Sequence, residues 1–311
     1  MTTNEAAVLL RAHDGIQLVT HTHPDGDTLC SAAALCSMLR RMGKRAWLFP
    51  NGEITEKFQP LTAAFLADGS ETAAYTVSVD VAGTEMFCPG FSGAVDLAID
   101  HHPKNPGFAA ATLLRGEKAS TGEIILELAD ALGCGVTPEE ATLLYIALST
   151  DCGCFCYGNT GADTHRAAAR LMDLGANHRW VNKQFFRSFS FPRLKLEGMI
   201  FATLRSYRDN QINIAVITLD MMRESGATED DCDDLASLAG KVRGNVVSIT
   251  VREIAPGRSK ASVRTNELVD ASAVCAVFGG GGHKMASGCT VDLPPQTLAD
   301  RMLDTVNEIW K

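Results

Sequence analysis

The chain has no apolar run near the ~20 residues that a membrane-spanning helix needs. Its first residues, MTTNEAAVLLRAHDG, lack the basic region and apolar stretch of a secretory signal. We therefore expect a soluble protein that has no membrane partner. The ten cysteines show no paired spacing, so we interpret them as reduced thiols and expect a cytoplasmic location.

Positive charge is also scarce. Lys and Arg number 28 against 37 Asp and Glu, which gives a net charge of −9. Because sequence-independent binding to long duplex DNA requires a basic surface, that class of partner is disfavoured. A short RNA or a single nucleotide stays compatible, since bound cations and a few local basic groups can neutralise its phosphates. The length of 311 residues favours one large or two ordinary domains.

Apolar segments alternate with helical patterns in the first half of the chain. This alternation is typical of an α/β fold whose open, mostly parallel sheet has helices on both faces. The predicted strands are 16–21, 45–49, 75–82 and 95–100. The predicted helices are 28–43, 120–132, 138–149, 162–174 and 178–187. In such sheets a ligand binds beyond the carboxyl ends of the strands.

A second, smaller α/β unit is predicted in the last third of the chain. We expect a catalytic domain over 1–190, a helical linker over 191–210 and a substrate-binding domain over 211–311. The predicted strands of the second unit are 212–219, 246–254 and 260–264. The predicted helices are 192–208, 228–240, 271–277 and 296–309.

Four clusters of acidic residues and histidines stand in the first half. They are His21-Thr-His-Pro-Asp25-Gly-Asp27, Asp80, Asp100-His101-His102 and Asp151. Carboxylates mixed with imidazoles suit Mn²⁺ or Mg²⁺ better than thiolates would. These ligands exceed the needs of one ion, so we predict two ions that share a bridging carboxylate. Such two-metal sites hydrolyse phosphate esters.

Each cluster also has a plainer interpretation. Asp27 could be the N-cap of the helix that follows it. A lone Asp at the end of a buried strand, such as Asp80, is usually a turn or cap residue, but an unpaired carboxylate there is costly unless it bridges two cations. His101 and His102 could be a surface pair before Pro103, whereas at a metal centre Asp100 could orient one imidazole through a hydrogen bond. The C-x-C-x-C run after Asp151 lacks the second cysteine pair of a zinc site, so small buried thiols explain it better.

A glycine stretch, Gly279-Gly-Gly-Gly-His283, lies in the second unit. It is neither a Walker loop nor a dinucleotide fingerprint. Four glycines would let backbone amides approach an anion closely, and His283, Lys284 and Arg264 could supply charge to the same phosphate. A flexible hinge is the alternative interpretation.

Together these residues resemble the DHH phosphoesterase superfamily, in its subfamily with a C-terminal DHHA1 domain and in its NrnA-like group. The resemblance covers nearly the whole chain. It implies hydrolysis of short oligoribonucleotides (nanoRNA), of 3′-phosphoadenosine 5′-phosphate, or of linear or cyclic dinucleotides. It also implies an active site in the cleft between the DHH and DHHA1 domains.

The resemblance further implies two divalent cations, Mn²⁺ in preference to Mg²⁺. One cation would be held by His21, Asp25 and Asp80, and the other by Asp27, Asp80, His101 and Asp151. Asp80 would bridge the two cations and His102 would polarise the scissile phosphate, which makes these two the expected catalytic residues. The substrate would be contacted by His102, Arg264, Gly280, Gly281, Gly282 and His283.

The chain departs from the family pattern at His23, Cys30 and Cys152. These departures leave substrate preference and metal choice open, since His23 could add a ligand or a proton donor. The alternative functions are a RecJ-like exonuclease for single strands, a polyphosphate or pyrophosphate hydrolase, and a nucleotide sensor without catalysis. Oligomeric state and the direction of RNA degradation are left open.

Overall fold

A parallel β-sheet organises the first half of the chain. A computed structural model describes residues 1–232, 234–266 and 268–310. The strands of this sheet are β1 (Ile16–Val19), β2 (Ala46–Leu48), β3 (Tyr75–Val79), β4 (Leu97–Asp100) and β5 (Ala111–Leu114). They pair in the order β2-β1-β3-β4-β5, and each pair is parallel. The strand order reverses at β1 and β3, which is where open α/β sheets bind ligands.

Helices cover the centre of this sheet. They are α1 (Thr3–Ala12), α2 (Gly26–Arg41), α3 (Gln59–Thr62), α4 (Thr121–Leu132), α5 (Pro138–Asp151), α6 (Ala162–Asp173) and α7 (His178–Phe186). Every residue of β3 is buried, so both faces of the sheet centre are covered. The helices α2, α4 and α5 pack against one another. The predicted parallel α/β architecture is therefore confirmed.

The start of α5 shows how local sequence sets the position of a helix. Thr137 and Glu140 form a reciprocal capping box, and Pro138 occupies the first helical position. The buried Glu140 carboxylate also accepts two hydrogen bonds of 2.9 Å from the guanidinium of Arg41 at the end of α2. This contact ties the start of α5 to the end of α2.

The second unit contains a mixed six-stranded sheet. Its strands are β6 (Arg205–Tyr207), β7 (Ile212–Ile217), β8 (Val247–Ala255), β9 (Arg258–Thr265), β10 (Gly281–His283) and β11 (Ala286–Val291). They pair in the order β10-β11-β9-β8-β7-β6, and the pair β7 and β8 is parallel while its neighbours are antiparallel. Its helices are α8 (Phe191–Ala202), α9 (Leu219–Ser225), α10 (Ala271–Ala276) and α11 (Pro295–Ile309). The chain divides into two compact units, Met1–Ser188 and Phe189–Lys311.

Several predicted elements differ from the observed ones. The helix predicted at 192–208 ends at Ala202, and the short strand β6 follows it. The helix predicted at 228–240 is wrong: its described residues form 3-10 segments, Glu229–Cys232 and Leu235–Lys241, and residue 233 lies outside the described residues. A run of aspartates there favours turns and caps over an α-helix. Within the described ranges, each helix is too short or too polar to cross a bilayer.

Candidate metal centre

Six ligand-type side chains from distant parts of the first unit converge beyond the carboxyl edge of the parallel sheet. His21 follows β1, Asp80 follows β3, His101 follows β4, Asp25 and Asp27 lie at the start of α2, and Asp151 ends α5. Their ligand atoms, with those of His102, form groups within 4.8 Å of one another. The groups are His21 with Asp25 and Asp80, Asp80 with His101 and His102, and Asp27 with His101 and Asp151.

Asp80 lies between these groups. Its Oδ2 is 3.7 Å from Nε2 of His21, and its Oδ1 is 3.5 Å from Nε2 of His101. The carboxylate is buried, and the backbone of Asp80 adopts a left-handed conformation with φ of +60°. Such a conformation is uncommon for a residue with a side chain. One carboxylate thus presents an oxygen to each of two ligand groups.

Backbone carbonyls fix the orientation of two imidazoles. Nδ1 of His21 lies 2.7 Å from the Thr22 carbonyl oxygen, and Nδ1 of His101 lies 3.1 Å from the Lys118 carbonyl oxygen. Because a carbonyl oxygen can only accept, each ring donates from Nδ1. In a neutral ring the lone pair is then on Nε2, the atom that faces the carboxylates. This orientation is the usual one for histidines that bind metals.

The N-terminus of α4 holds the Asp27 carboxylate. Oδ2 of Asp27 accepts a hydrogen bond of 2.7 Å from the Thr121 amide, and Oδ1 accepts one of 2.9 Å from the Gly122 amide. The hydroxyl of Thr121 donates to Oδ1 of Asp80 at 2.9 Å. The start of a helix carries partial positive charge, so α4 stabilises two buried carboxylates of the centre. Sequence reasoning missed this contribution, although Ser120 and Glu123 mark the start of α4.

The N-cap of α2 is Asp25, so the prediction that Asp27 caps this helix is wrong. Oδ1 of Asp25 accepts hydrogen bonds from the amides of Asp27 and Thr28, at 3.0 and 3.2 Å. The reason is that α2 begins at Gly26, two residues earlier than predicted. Asp27 already lies in the first helical turn, where its side chain points to α4.

Asp100 positions His102. Nδ1 of His102 lies 2.8 Å from Oδ1 of Asp100, whose Oδ2 accepts a hydrogen bond of 2.7 Å from the amide of Asn105. The hydrogen bond to buried Asp100 raises the pKa of His102 to about 9. A protonated His102 can donate from Nε2. Sequence reasoning also missed Asn105. Its position in the loop after His102 was the one signal that could have suggested its role.

A close helix contact brings Asp27 and Asp151 to the same place. A Cβ atom at Gly26 would lie 2.4 Å from Oγ1 and 2.9 Å from Cγ2 of Thr150. Only glycine therefore allows the start of α2 to approach the end of α5 this closely. Asp27 and Asp151 each stand next to one of the two contacting residues, and both lie near Nε2 of His101, at 3.8 and 3.5 Å.

Asp27 and Asp80 are buried and Asp151 is partly buried, and the described salt bridges give none of the three a Lys or Arg partner. Burial, and then the charge of neighbouring carboxylates, raises the pKa of Asp27; burial also raises the pKa of Asp80, and that of Asp151 to about 7. Across the described part of the chain, the salt-bridge partners of these three groups are imidazoles only. Buried charge needs an ion pair or a metal. Carboxylates of this kind, faced by imidazole lone pairs, fit divalent cations.

The positions that depart from the family pattern lie outside these ligand groups. The His23 side chain is 86% exposed and its Nδ1 lies 3.6 Å from Oε1 of Glu53. Cys30 and Cys152 are buried. Among residues 1–232, 234–266 and 268–310, no group of candidate metal ligands includes a cysteine. The interpretation of the C-x-C-x-C run as buried thiols holds for Cys152, but Cys154 is partly buried and Cys156 is exposed.

The predicted substrate residues of the second unit share one part of its sheet. Gly281, Gly282 and His283 form β10, so the glycine stretch is partly an edge strand. Its register places His283 opposite Ala286 of β11, which is opposite Arg264 of β9. Side chains at directly opposed positions point to the same face of a sheet. Arg264 and His283 therefore lie on one face, two strands apart.

Comparison with known proteins matches both halves of the chain. Residues 15–148 match the DHH family, N-terminal domain, and residues 211–311 match the DHHA1 domain. The bifunctional oligoribonuclease and PAP phosphatase NrnA of Thermus thermophilus is 30% identical over 308 residues, which are 97% of this chain and 92% of that protein. The protein of the same name from Bacillus subtilis is 25% identical, with 93% and 94% covered. An exopolyphosphatase-related protein from Bacteroides fragilis, 20% identical, shares the fold with a TM-score of 0.86 over 98% of this chain and 95% of its own.

Proposed function

Because the chain belongs to the DHH family of phosphoesterases and carries a DHHA1 domain, we propose that it hydrolyses short oligoribonucleotides and 3′-phosphoadenosine 5′-phosphate with two divalent cations. Family membership makes it an enzyme that hydrolyses phosphate esters. The observation that carries the two-cation proposal is the position of Asp80, whose two oxygens face His21 and His101 at 3.7 and 3.5 Å. The names of its NrnA relatives support the choice of substrates.

The ligand groups suggest how the cations would be divided. The first cation would be held by His21, Asp25 and Asp80, and the second by Asp27, Asp80, His101 and Asp151. Imidazole together with carboxylate favours Mn²⁺ over Mg²⁺, which prefers oxygen alone. When bound, the two cations supply an activated water and neutralise charge on the phosphoryl oxygens.

The remaining residues would position the substrate. His102, oriented by Asp100, would donate from Nε2 to a phosphoryl oxygen and stabilise charge that develops there. In the second unit, Arg264 and His283 would contact the rest of the nucleotide, and the amides of Gly280, Gly281 and Gly282 would contact its phosphate. The exposed edge strand β10 supports this role, because its backbone groups can reach a ligand.

A substrate panel tests the proposal. The chain, supplied with Mn²⁺, is given 3′-phosphoadenosine 5′-phosphate, di- to pentaribonucleotides, linear and cyclic di-adenylate, pyrophosphate and a long single-stranded DNA, each with an EDTA control. We expect metal-dependent release of phosphate or mononucleotide from the short RNAs and from 3′-phosphoadenosine 5′-phosphate. Preference for the long strand would indicate a RecJ-like exonuclease instead. Turnover of pyrophosphate alone would indicate the pyrophosphatase, and no turnover would indicate a sensor.

A further inference from the structure

Four phenylalanines form a cluster beside the candidate metal centre. The ring centroids of Phe87 lie 5.0 Å from Phe91 and 5.4 Å from Phe108, and Phe91 lies 5.4 Å from Phe49. Each contact is edge-to-face. Aromatic residues make up only 6% of the chain, so four of them in one group is a concentration that calls for an explanation. We refer to Phe49, Phe87, Phe91 and Phe108 as the aromatic cluster.

Phe87 is the direct neighbour of a proposed metal ligand. The segment around it forms an isolated antiparallel bridge in which Phe87 is opposite His21. The flanking hydrogen bonds run from the Thr22 amide to the Met86 carbonyl at 2.7 Å and from the Cys88 amide to the Thr20 carbonyl at 3.1 Å. This pattern defines a non-hydrogen-bonded pair, in which opposed side chains project to the same side and approach closely. The side chains of Phe87 and His21 therefore leave the backbone on the same side of this bridge.

Phe108 is tied to the other side of the centre. Its loop is anchored by Asn105, whose amide donates to the Val81 carbonyl at 3.1 Å and to Oδ2 of Asp100 at 2.7 Å. The Gly107 amide in turn donates to Oδ1 of Asn105 at 2.8 Å. The same asparagine thus fixes the loop of Phe108 and the carboxylate that orients His102. The aromatic cluster is continuous with the centre at two points, His21 and Asp100.

The aromatic cluster is separate from the hydrophobic core. Each of its four rings belongs to a partly exposed residue, and none belongs to a core cluster of the described residues. By contrast, Phe58 and Phe185 of the same unit are 6% and 7% exposed and lie within the core. Aromatic surface has therefore been left accessible beside the place where a phosphate would be held.

We propose that the aromatic cluster is a base-binding subsite: it stacks the nucleobase of the nucleotide whose phosphate lies at the metal centre. The inference rests on the proposed function and adds to it the substrate class that the catalytic half recognises. Stacking on aromatic rings binds any base, because every base has a π-face. The subsite would accept all four bases and would discriminate against phosphate esters without a base.

The test compares two substrates that differ only in the bases. One is a diribonucleotide, and the other is the same diester with hydrogen in place of both bases. Phe91→Leu and Phe108→Leu remove the aromatic face but keep an apolar side chain, and Phe108→Tyr keeps the face. Phe65→Leu is the matched control, since Phe65 is partly buried in the same unit and packs below Arg40 outside the aromatic cluster.

We expect kcat/KM for the diribonucleotide to fall about 5- to 30-fold in Phe91→Leu and Phe108→Leu, mainly through KM, as loss of one stacking contact predicts. For the abasic diester, kcat/KM should change less than about twofold in the same variants. Phe108→Tyr and Phe65→Leu should have the kcat/KM of the wild type on both substrates. Thermal unfolding and Mn²⁺ binding show whether each variant keeps its fold and its centre.

Two results would overturn the inference while leaving the proposed function intact. One is an equal loss on both substrates in folded variants. The other is unchanged kcat/KM for the diribonucleotide in folded Phe91→Leu and Phe108→Leu, which would remove the aromatic cluster from substrate binding. If the wild type hydrolyses neither diester with Mn²⁺, the proposed function fails on these substrates, and the inference fails with it.

Discussion

Replacing Gly26 with alanine should disturb the metal centre without touching a ligand. The new Cβ would lie 2.4 Å from Oγ1 of Thr150, whereas ordinary contact begins at 3.4 Å, so the two helices must separate by about 1 Å. Rotation of Thr150 offers no escape, because its Cγ2 would be only 2.9 Å away and β-branched side chains are stiff in helices.

The expected magnitude follows from two opposing effects. Alanine in a helix is favoured over glycine by about 0.5–1 kcal/mol. Overpacking of a close contact costs about 1–3 kcal/mol. Gly26→Ala should therefore lower the free energy of unfolding by up to about 2.5 kcal/mol, to be measured by urea denaturation in EDTA. A shift of about 1 Å between Asp27 and Asp151 should lower kcat/KM by up to about 100-fold, since a misplacement of this size can have that effect.

Two further variants separate the clash from a general effect of alanine. Gly198→Ala in α8 places a Cβ in open space, so it should stabilise the protein by about 0.5–1 kcal/mol and leave activity unchanged. Thr150→Ala removes both γ atoms and should recover most of the stability lost in Gly26→Ala, which makes the two effects non-additive. The close contact does not set the geometry of the centre if the changes in the free energy of unfolding caused by Gly26→Ala and Thr150→Ala are additive. The same conclusion follows if Gly26→Ala keeps wild-type turnover.

Three other substitutions test separate parts of the structure. Asp80→Asn should lower kcat/KM at least ~10³-fold and reduce Mn²⁺ bound per chain in equilibrium dialysis, since it removes a shared ligand; normal turnover would refute the bridging role. Arg264→Ala should raise KM for 3′-phosphoadenosine 5′-phosphate while Mn²⁺ binding stays the same, and the reverse result would remove Arg264 from substrate binding. Glu140→Ala should lower the free energy of unfolding in urea by about 2–4 kcal/mol, because Arg41 and the capping box lose their partner; Glu140→Gln, which keeps some of these bonds, should lose less, and equal losses would contradict this explanation.

The first-half clusters could be placed from sequence because parallel strands impose a simple geometry. Strand ends of a parallel sheet lie along one edge, so His21, Asp80 and Asp100 had to come near one another once their strands were predicted. Asp151 is different, since it lies at the end of a helix. Its approach to Asp27 depends on the contact of Gly26 with Thr150, and a single glycine at the start of a helix gives no sign of which helix it will contact.

The errors in secondary structure have a common physical origin. The strands β5 and β10 were not predicted; they have four and three residues, and neither carries the continuous apolar run that identified the equally short β1, β2 and β4. β10 pairs with the next strand, β11, in a tight hairpin, and the glycines of β10 carry no side-chain pattern that would identify it. The error at Asp27 has a similar cause, since choosing between Asp25 and Asp27 as the N-cap requires the start of α2 to within one residue, which sequence patterns do not supply.

Features that destabilise a fold coincide at one place in the first unit. Asp80 has a left-handed backbone and a buried carboxylate, Asp27 is buried beside it, and their charged partners among the described residues are imidazoles. Each feature alone costs free energy. Thr121 and Gly122 at the start of α4 offset part of that cost through three hydrogen bonds to the two carboxylates, but these neutral donors cannot neutralise two charges. A fold selected for stability alone would avoid this arrangement. Backbone strain and unneutralised buried charge occur together at functional sites, where a bound ligand supplies the compensating charge. The coincidence therefore argues for bound cations independently of any family resemblance, because it follows from the cost of the site in their absence.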